Sequence, residues 1–299
     1  MHGSVARPLA EIVNLLDIAA VDEGVFVAQH TAVAAETGHV FGGLVAAQAT
    51  VAACRTVDPA RPIHSLHAYF LRPGDPAHAI ELRVELTRDG RSFSHRRVSA
   101  IQDGRAIMEM ACSFATPEPG LRHQVSMPEV PEPEHLKSDW MLLESMPDVV
   151  PSLTRPAPFD VRSVGDHSRI GRDRGEVTDR SLMWMRADGE VGDDPVLHTA
   201  LFVYASDMTV LDPVTRPNAR SMAAGDVLPT TIDHAVWFHR WTRADQWWLC
   251  DVDSPWAGDG RGYARGRVFD RSGVLVAEIA QEGLIRLPNT GSNGRKTWS

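Results

Sequence analysis

The chain has 299 residues and a formal net charge of −9, with 43% hydrophobic and 23% charged residues, a composition that suits a soluble globular protein of about two domains. Its acidic balance, without a dense Lys/Arg tract, argues against a main role on nucleic acid or an anionic membrane. No run of about 18 apolar residues and no signal-type start occurs, the three cysteines (Cys54, Cys112, Cys250) are far apart, and the thirteen histidines include no H-E-x-x-H pair, so a cytoplasmic chain without metal or cofactor is expected.

The first predicted element is the Ala-rich stretch G42-G-L-V-A-A-Q-A-T-V-A-A53, a helix entered through Gly-Gly. Alternating segments follow at 64–72, 78–88, 91–101 and 105–115, with turn signals at Asp89-Gly90 and Asp103-Gly104. Residues 117–158 hold many prolines, which predicts an irregular connector with one short helical stretch near 135–145. A second helix is expected over D194-P-V-L-H-T-A-L-F-V-Y-A205, where Asp194 suits an N-cap and Pro195 the first turn. Strands are expected at 231–241, 246–253, 261–269 and 274–286, with a turn at Ser272-Gly273, and the polar tail after Pro288 reads as disordered.

The two series are copies of one unit. H67-A-Y-F-L-R72 returns as H234-A-V-W-F-H239 at an offset of 167, G90-R-S-F-S-H-R-R-V98 as G260-R-G-Y-A-R-G-R-V268 at 170, and D103-G-R-A-I-M-E-M-A-C-S113 as S272-G-V-L-V-A-E-I-A-Q-E282 at 169. One helix against a long antiparallel sheet, twice over, is an α+β double hot-dog. The expected boundaries are 1–117 for the first unit, 118–158 for the connector, 159–288 for the second unit and 289–299 for the tail.

Three polar residues stand out. In A277-E-I-A-Q-E-G-L-I-R286, period-2 alternation puts Gln281 on one face with Ala277, Ile279, Gly283 and Ile285, where an unpartnered amide costs about 1–3 kcal/mol. Its counterpart in the first copy is Cys112, on the apolar face of Met108, Met110 and Phe114. Asp207 continues the apolar stripe of Val196, Ala200 and Val203, where desolvation and the negative end of a helix dipole both raise a carboxyl pKa; it reads equally as a base or a helix-terminal turn residue. An offset of 156 sets Val51 opposite Asp207. Thr231 opens a strand, where threonine is common anyway. Asp233 and His234 are neighbours on a strand and do not face one another, and His234 has His67 as its counterpart, which favours structural roles.

The stretches F41-G-G43, H64-S-L-H-A-Y-F-L-R-P-G-D75, R88-D-G-R-S-F-S94, D194-P-V-L-H198, Y204-A-S-D-M-T209, I232-D-H-A-V-W-F-H-R240 and Q281-E-G283 resemble the acyl-CoA thioesterase II family, over about residues 9–287. The resemblance implies two hot-dog units in one chain, hydrolysis of fatty acyl-CoA to free fatty acid and CoA, no cofactor, and association into homodimers or higher forms. By motif position it implies that Asp207, Thr231 and Gln281 hold a water that attacks the thioester directly. Leu44 departs from the family pattern, in which many members carry Gln, and bears on acyl-chain fit. One catalytic centre per chain is expected, the first unit lacking the polar set and lending pocket wall and core. Arg91, Arg97, Arg261, Arg265 and Arg267 lie near the repeated strands, where solvated surface arginines are the default reading beside a role with CoA phosphates. Two alternatives stand beside hydrolysis. One is a hot-dog enoyl-CoA hydratase, since G192-D-D-P-V-L-H198 resembles the Gly-Asp-x-Asn-Pro-x-His motif, one residue short and without its Asn. The other is a non-catalytic acyl-CoA-binding protein.

Overall fold

The computed structural model describes residues 8–30, 38–150, 153, 157–290 and 296–297. The chain begins with α1 (Pro8–Leu16) and a hairpin of β1 (Ala19–Asp22) and β2 (Val25–Ala28). The first repeat copy follows as α2 (Gly42–Cys54), β3 (Ile63–Phe70), β4 (Ile80–Asp89), β5 (Phe93–Gln102) and β6 (Arg105–Ala115). The Asp103-Gly104 turn has both residues at positive φ, 49° and 72°, the hairpin geometry that Asp-Gly favours. After α3 (Asp139–Glu144) come β7 (Phe159–Ser163), α4 (Ser168–Arg174) and β8 (Arg180–Ala187). The second copy proper is α5 (Pro195–Thr209), α6 (Asp212–Thr215), β9 (Leu228–Thr231), β10 (Asp233–Phe238), β11 (Trp248–Gly258), β12 (Arg261–Asp270) and β13 (Leu275–Arg286). In the tail, β14 (Asn289–Thr290) pairs with β15 (Lys296–Thr297); the rest of the expected disordered tail lies outside the described residues.

Among the described residues, thirteen strands form one antiparallel sheet in the order β1-β2-β4-β5-β6-β3-β10-β13-β12-β11-β8-β7, with β9 also on β13. Read outward from the central β3–β10 pair, each half lists equivalent strands, so the two hot-dog units join edge to edge through their equivalent strands. Neither unit has an open edge there, because each supplies the other's hydrogen-bond partner. Helices α2 and α5 lie side by side against one face. Every residue of α2 from Gly43 to Ala53 is buried, which is why its sequence is apolar on all sides apart from Gln48, which donates to Leu15 O and Gln29 O, and Thr50, which donates to Ala46 O. Asp194 caps α5 by accepting the Val196 N–H at 2.9 Å, as its place before Pro195 predicts.

The connector covers part of the opposite face. Met127, Val130 and Leu136 pack on Trp184, Trp247, Leu249 and Phe269, and the Trp184 indole donates to Pro131 O at 2.9 Å. None of the described helices is long and apolar enough to cross a membrane.

Two pairings inferred from the repeat are corrected by the sheet. His67 is exposed on the outer face, its ring edge-on to Trp237 at 5.0 Å, whereas His234 is buried on the inner face. Across the seam His234 pairs with Ala68, and His67 with Ala235. The sequence match of His67 to His234 is one residue out of the structural register, and a slip of one residue turns a side chain to the other face because side chains alternate with period 2. The strand neighbour of Cys112 on β3 is Leu66, and His234 is the residue that faces Gln281, so Leu66 is the inner-face counterpart of His234. Similarly, matching the helices by their N-caps, Phe41 and Asp194, sets Cys54 opposite Asp207 and Tyr204 opposite Val51. Cys54 lies near Asp194 at the start of α5, as Asp207 lies near the start of α2.

Candidate active site

Asp207 sits in the last turn of α5 and is 8% exposed, with its carboxylate against the N-terminus of α2. A helix cannot pair its first N–H groups internally, and the N-cap of α2, Phe41, has no capping side chain. The Gly43 N–H bonds instead to Asp207, so the second unit caps the helix of the first. Glycine is required there by proximity: a Cβ at position 43 would lie 2.8 Å from Tyr204 O, and one at 42 would lie 3.2 Å from Asp207 Oδ2.

Thr231 donates from Oγ1 to Asp207 Oδ1 at 3.2 Å, and Gln281 donates from Nε2 to Thr231 Oγ1 at 2.9 Å. The structure thus brings Asp207, Thr231 and Gln281 together. Gln281 lies on the buried face of β13, 1% exposed, where alternation predicts it. Thr231 is there by a different route. Unbroken alternation back from His234 and Val236 would turn Thr230 inward, yet Thr231 pairs with Gly283 while Ala235 pairs with Ala280. One residue too many separates the two pairs, a bulge at Ile232–Asp233 that turns Thr231 to the inner face and leaves Thr230 exposed. Asp233 fastens this bulge by accepting the Glu282 N–H at 2.7 Å, and the Ile232 N–H donates to Glu282 O at 2.9 Å. Asp233 therefore has a structural role, and Gly283 leaves room for Leu211 above it.

Burial raises the Asp207 carboxyl from 3.8 to about 7, against the lowering effect of its bonds from Thr231, Gln281 and Gly43. The first-unit helix thus partly offsets the desolvation that the α5 C-terminus and the core impose. At neutral pH such a group is partly ionised and well matched to accept a proton. His234, absent from the sequence-based set, bonds through Nδ1 to Gln281 Oε1 at 2.6 Å and through Nε2 to Ser206 Oγ at 2.8 Å. Burial drives its pKa down to about 4, so it is a neutral imidazole. The signal in the sequence was its even spacing from Val236, which the match to His67 obscured.

At the equivalent place in the first unit stand Cys54, Leu66 and Cys112, and burial lifts the Cys54 thiol to about 12 and that of Cys112 well above its usual value. The motif at 192–198 is also structural: Asp194 caps α5, and buried His198 accepts the Ala244 N–H at Nδ1, 2.9 Å away. Those two side chains are committed to backbone at the far end of α5 from Asp207. Of the arginines near the repeated strands, Arg97 pairs with Glu109, Arg261 with Glu282, Arg265 with Asp253 and Arg267 with Asp251.

Comparison with known proteins agrees with this architecture. The family model described as the acyl-CoA thioesterase N-terminal domain matches residues 31–115, and that of the acyl-CoA thioesterase C-terminal domain matches residues 121–285, connector included. The chain is 35% identical to human acyl-coenzyme A thioesterase 8, over 92% of this chain and 89% of that protein. It is 33% identical to acyl-CoA thioesterase 2 of Haemophilus influenzae, over 93% and 98%. A solved acyl-CoA thioesterase II from Mycobacterium marinum is 36% identical, with a TM-score of 0.77 over 93% of this chain and 99% of that one.

Proposed function

The chain belongs to the acyl-CoA thioesterase family and is a thioester hydrolase, and from that premise we propose that it hydrolyses fatty acyl-CoA with a water held by Asp207, Thr231 and Gln281. The observation that carries this reading is the unbroken chain of hydrogen bonds from Gln281 through Thr231 to a buried carboxylate whose pKa is near 7. Asp207 orients the water and takes its proton as the oxygen attacks the thioester carbon; Thr231 and Gln281 fix the water's position, converting a bimolecular encounter into an oriented one. The tetrahedral oxyanion then collapses, the C–S bond breaks, and the CoA thiolate leaves and is protonated. The positive end of α2, which opens beside Asp207, supplies the polarity that favours the oxyanion. No enzyme-bound acyl intermediate is needed.

The test is free-thiol release from a series of saturated acyl-CoA substrates of increasing chain length, run with the parent and with Asp207→Asn. Thiol release by the parent and a loss of about 10²–10⁴-fold in the folded variant are expected. Full hydrolysis by Asp207→Asn would overturn the assignment, and ligand binding without thiol release at any chain length would favour a binding protein.

A further inference from the structure

We propose that His234 is a positioning residue that fixes which way round the Gln281 amide sits, so that each bond from Ser206 to Asp207 is donated toward the carboxylate. The inference rests on the proposed roles of Asp207, Thr231 and Gln281.

A neutral imidazole has one donor and one acceptor nitrogen, and an amide oxygen can only accept. With Gln281 Oε1 2.6 Å from Nδ1, the ring proton is on Nδ1 and Nε2 is the acceptor. Ser206 Oγ, 2.8 Å away, is then the donor to Nε2, although its single hydrogen can also reach Val203 O at 2.9 Å. The direction propagates without choice. Gln281 turns its NH₂ to Thr231 at 2.9 Å, Thr231 accepts, and its own hydroxyl hydrogen is left for Asp207 Oδ1 at 3.2 Å.

The reversed amide would present Oε1 to Thr231. That oxygen would take the threonine hydrogen, and the Thr231 lone pairs would face the Asp207 carboxylate, an arrangement tolerable only with a proton on Asp207. His234 thus selects the chain polarity that suits an ionised base. Its own neutrality, which burial maintains down to about pH 4, keeps one ring nitrogen free to accept from Ser206.

Few titratable groups face Asp207. On α5 there is Tyr204, whose hydroxyl is raised to about 12 by burial, by Asp207 and by Glu11 of α1. From β10 comes His234, which reaches the site through Gln281; Asp233 and Glu282, its strand neighbour and that of Gln281, alternate to the outer face, where Asp233 accepts the Glu282 N–H and Glu282 pairs with Arg261. The groups that touch the carboxylate from α2, β9 and β13 are the Gly43 N–H, Thr231 and Gln281, all uncharged.

Three variants separate positioning from packing. His234→Asn can place an N–H near the former Nδ1, keeping the donor to Gln281 Oε1; His234→Gln reaches Ser206 instead; His234→Leu fills space with neither. Each is assayed for kcat, KM and the acid limb of kcat/KM, with folding checked by urea denaturation. Misplacing the amide is expected to lower kcat about 100-fold in His234→Leu and His234→Gln with KM nearly unchanged, and to move the acid limb to higher pH. His234→Asn is expected to stay within about tenfold of the parent. In the parent at pH 8, ¹⁵N chemical shifts should report the Nδ1–H tautomer. An Nε2–H tautomer, or a His234→Leu protein with parental kcat and acid limb, would overturn the inference. Loss of activity that follows stability alone across the three variants would also overturn it. Failure of the underlying reading would look different, since Asp207→Asn would then hydrolyse at the parental rate.

Discussion

Replacing Asp207 by Asn should make the protein less active and, above neutral pH, more stable. Folding raises the carboxyl from 3.8 to about 7, and burial is the main cause. Below pH 3.8 the group is protonated in both folded and unfolded chains and costs nothing. As pH rises from 3.8 to 7 the folded chain retains a proton that the unfolded chain releases, so stability falls, and above 7 the whole cost of a buried charge is present. Three pKa units at 1.36 kcal/mol each make that cost about 4 kcal/mol, of which about 3 kcal/mol develops between pH 4.5 and pH 8. Asparagine carries no charge, and its Oδ1 can still accept from Thr231 or the start of α2, where Asn is a good cap. Whatever packing change it brings is the same at both pH values. Urea denaturation of parent and variant at pH 4.5 and pH 8 therefore isolates the titration, because other groups cancel in the difference. The variant should gain about 3 kcal/mol on the parent between the two conditions. A difference unchanged within about 0.5 kcal/mol would refute the raised pKa and, with it, the claim that the fold keeps a costly base for chemistry.

The same titration appears in turnover: kcat/KM should rise with pH through about 7 as Asp207 ionises, and His234, neutral above about pH 4, should add no limb of its own in a pH–rate profile from 5 to 9. Thr231→Val removes the hydroxyl between Gln281 and Asp207 and should lower kcat by about 10²-fold, while Thr231→Ser keeps the bond and most of the rate; steady-state thiol release distinguishes them. Gly43→Ala would set a methyl 2.8 Å from Tyr204 O, a backbone atom that cannot swing aside. It should cost about 1–3 kcal/mol in urea denaturation and reduce turnover, because α2 must retreat from Asp207.

Much of this was legible in the residues. Binary alternation located the repeated strands and turned Gln281 inward, since a period of 2 needs only the local sequence. The internal repeat gave two equivalent units, and comparing them singled out Gln281 against Cys112, both on buried inner positions. The cap at Asp194 was likewise a local signal. The early strands β1 and β2, and β7 and β8, were missed; each is four to eight residues long and lies outside the repeated motifs.

Sequence by itself determined the fold class, the repeat and the identity of the polar side chains, because these depend on periodicity and on which positions depart from it. Tertiary structure decided how those side chains meet. The bulge at Ile232–Asp233 exists only because β9 and β10 must both pair with β13, and this one extra residue chooses Thr231 over Thr230. The same parity separates His234 from His67, since seam register rather than sequence likeness sets the face. The carboxylate of one unit meets the helix start of the other because the units share a sheet edge, which brings α2 and α5 together. No local pattern at Gly43 or at Asp207 encodes that contact, and the ionisation of Asp207 depends on it.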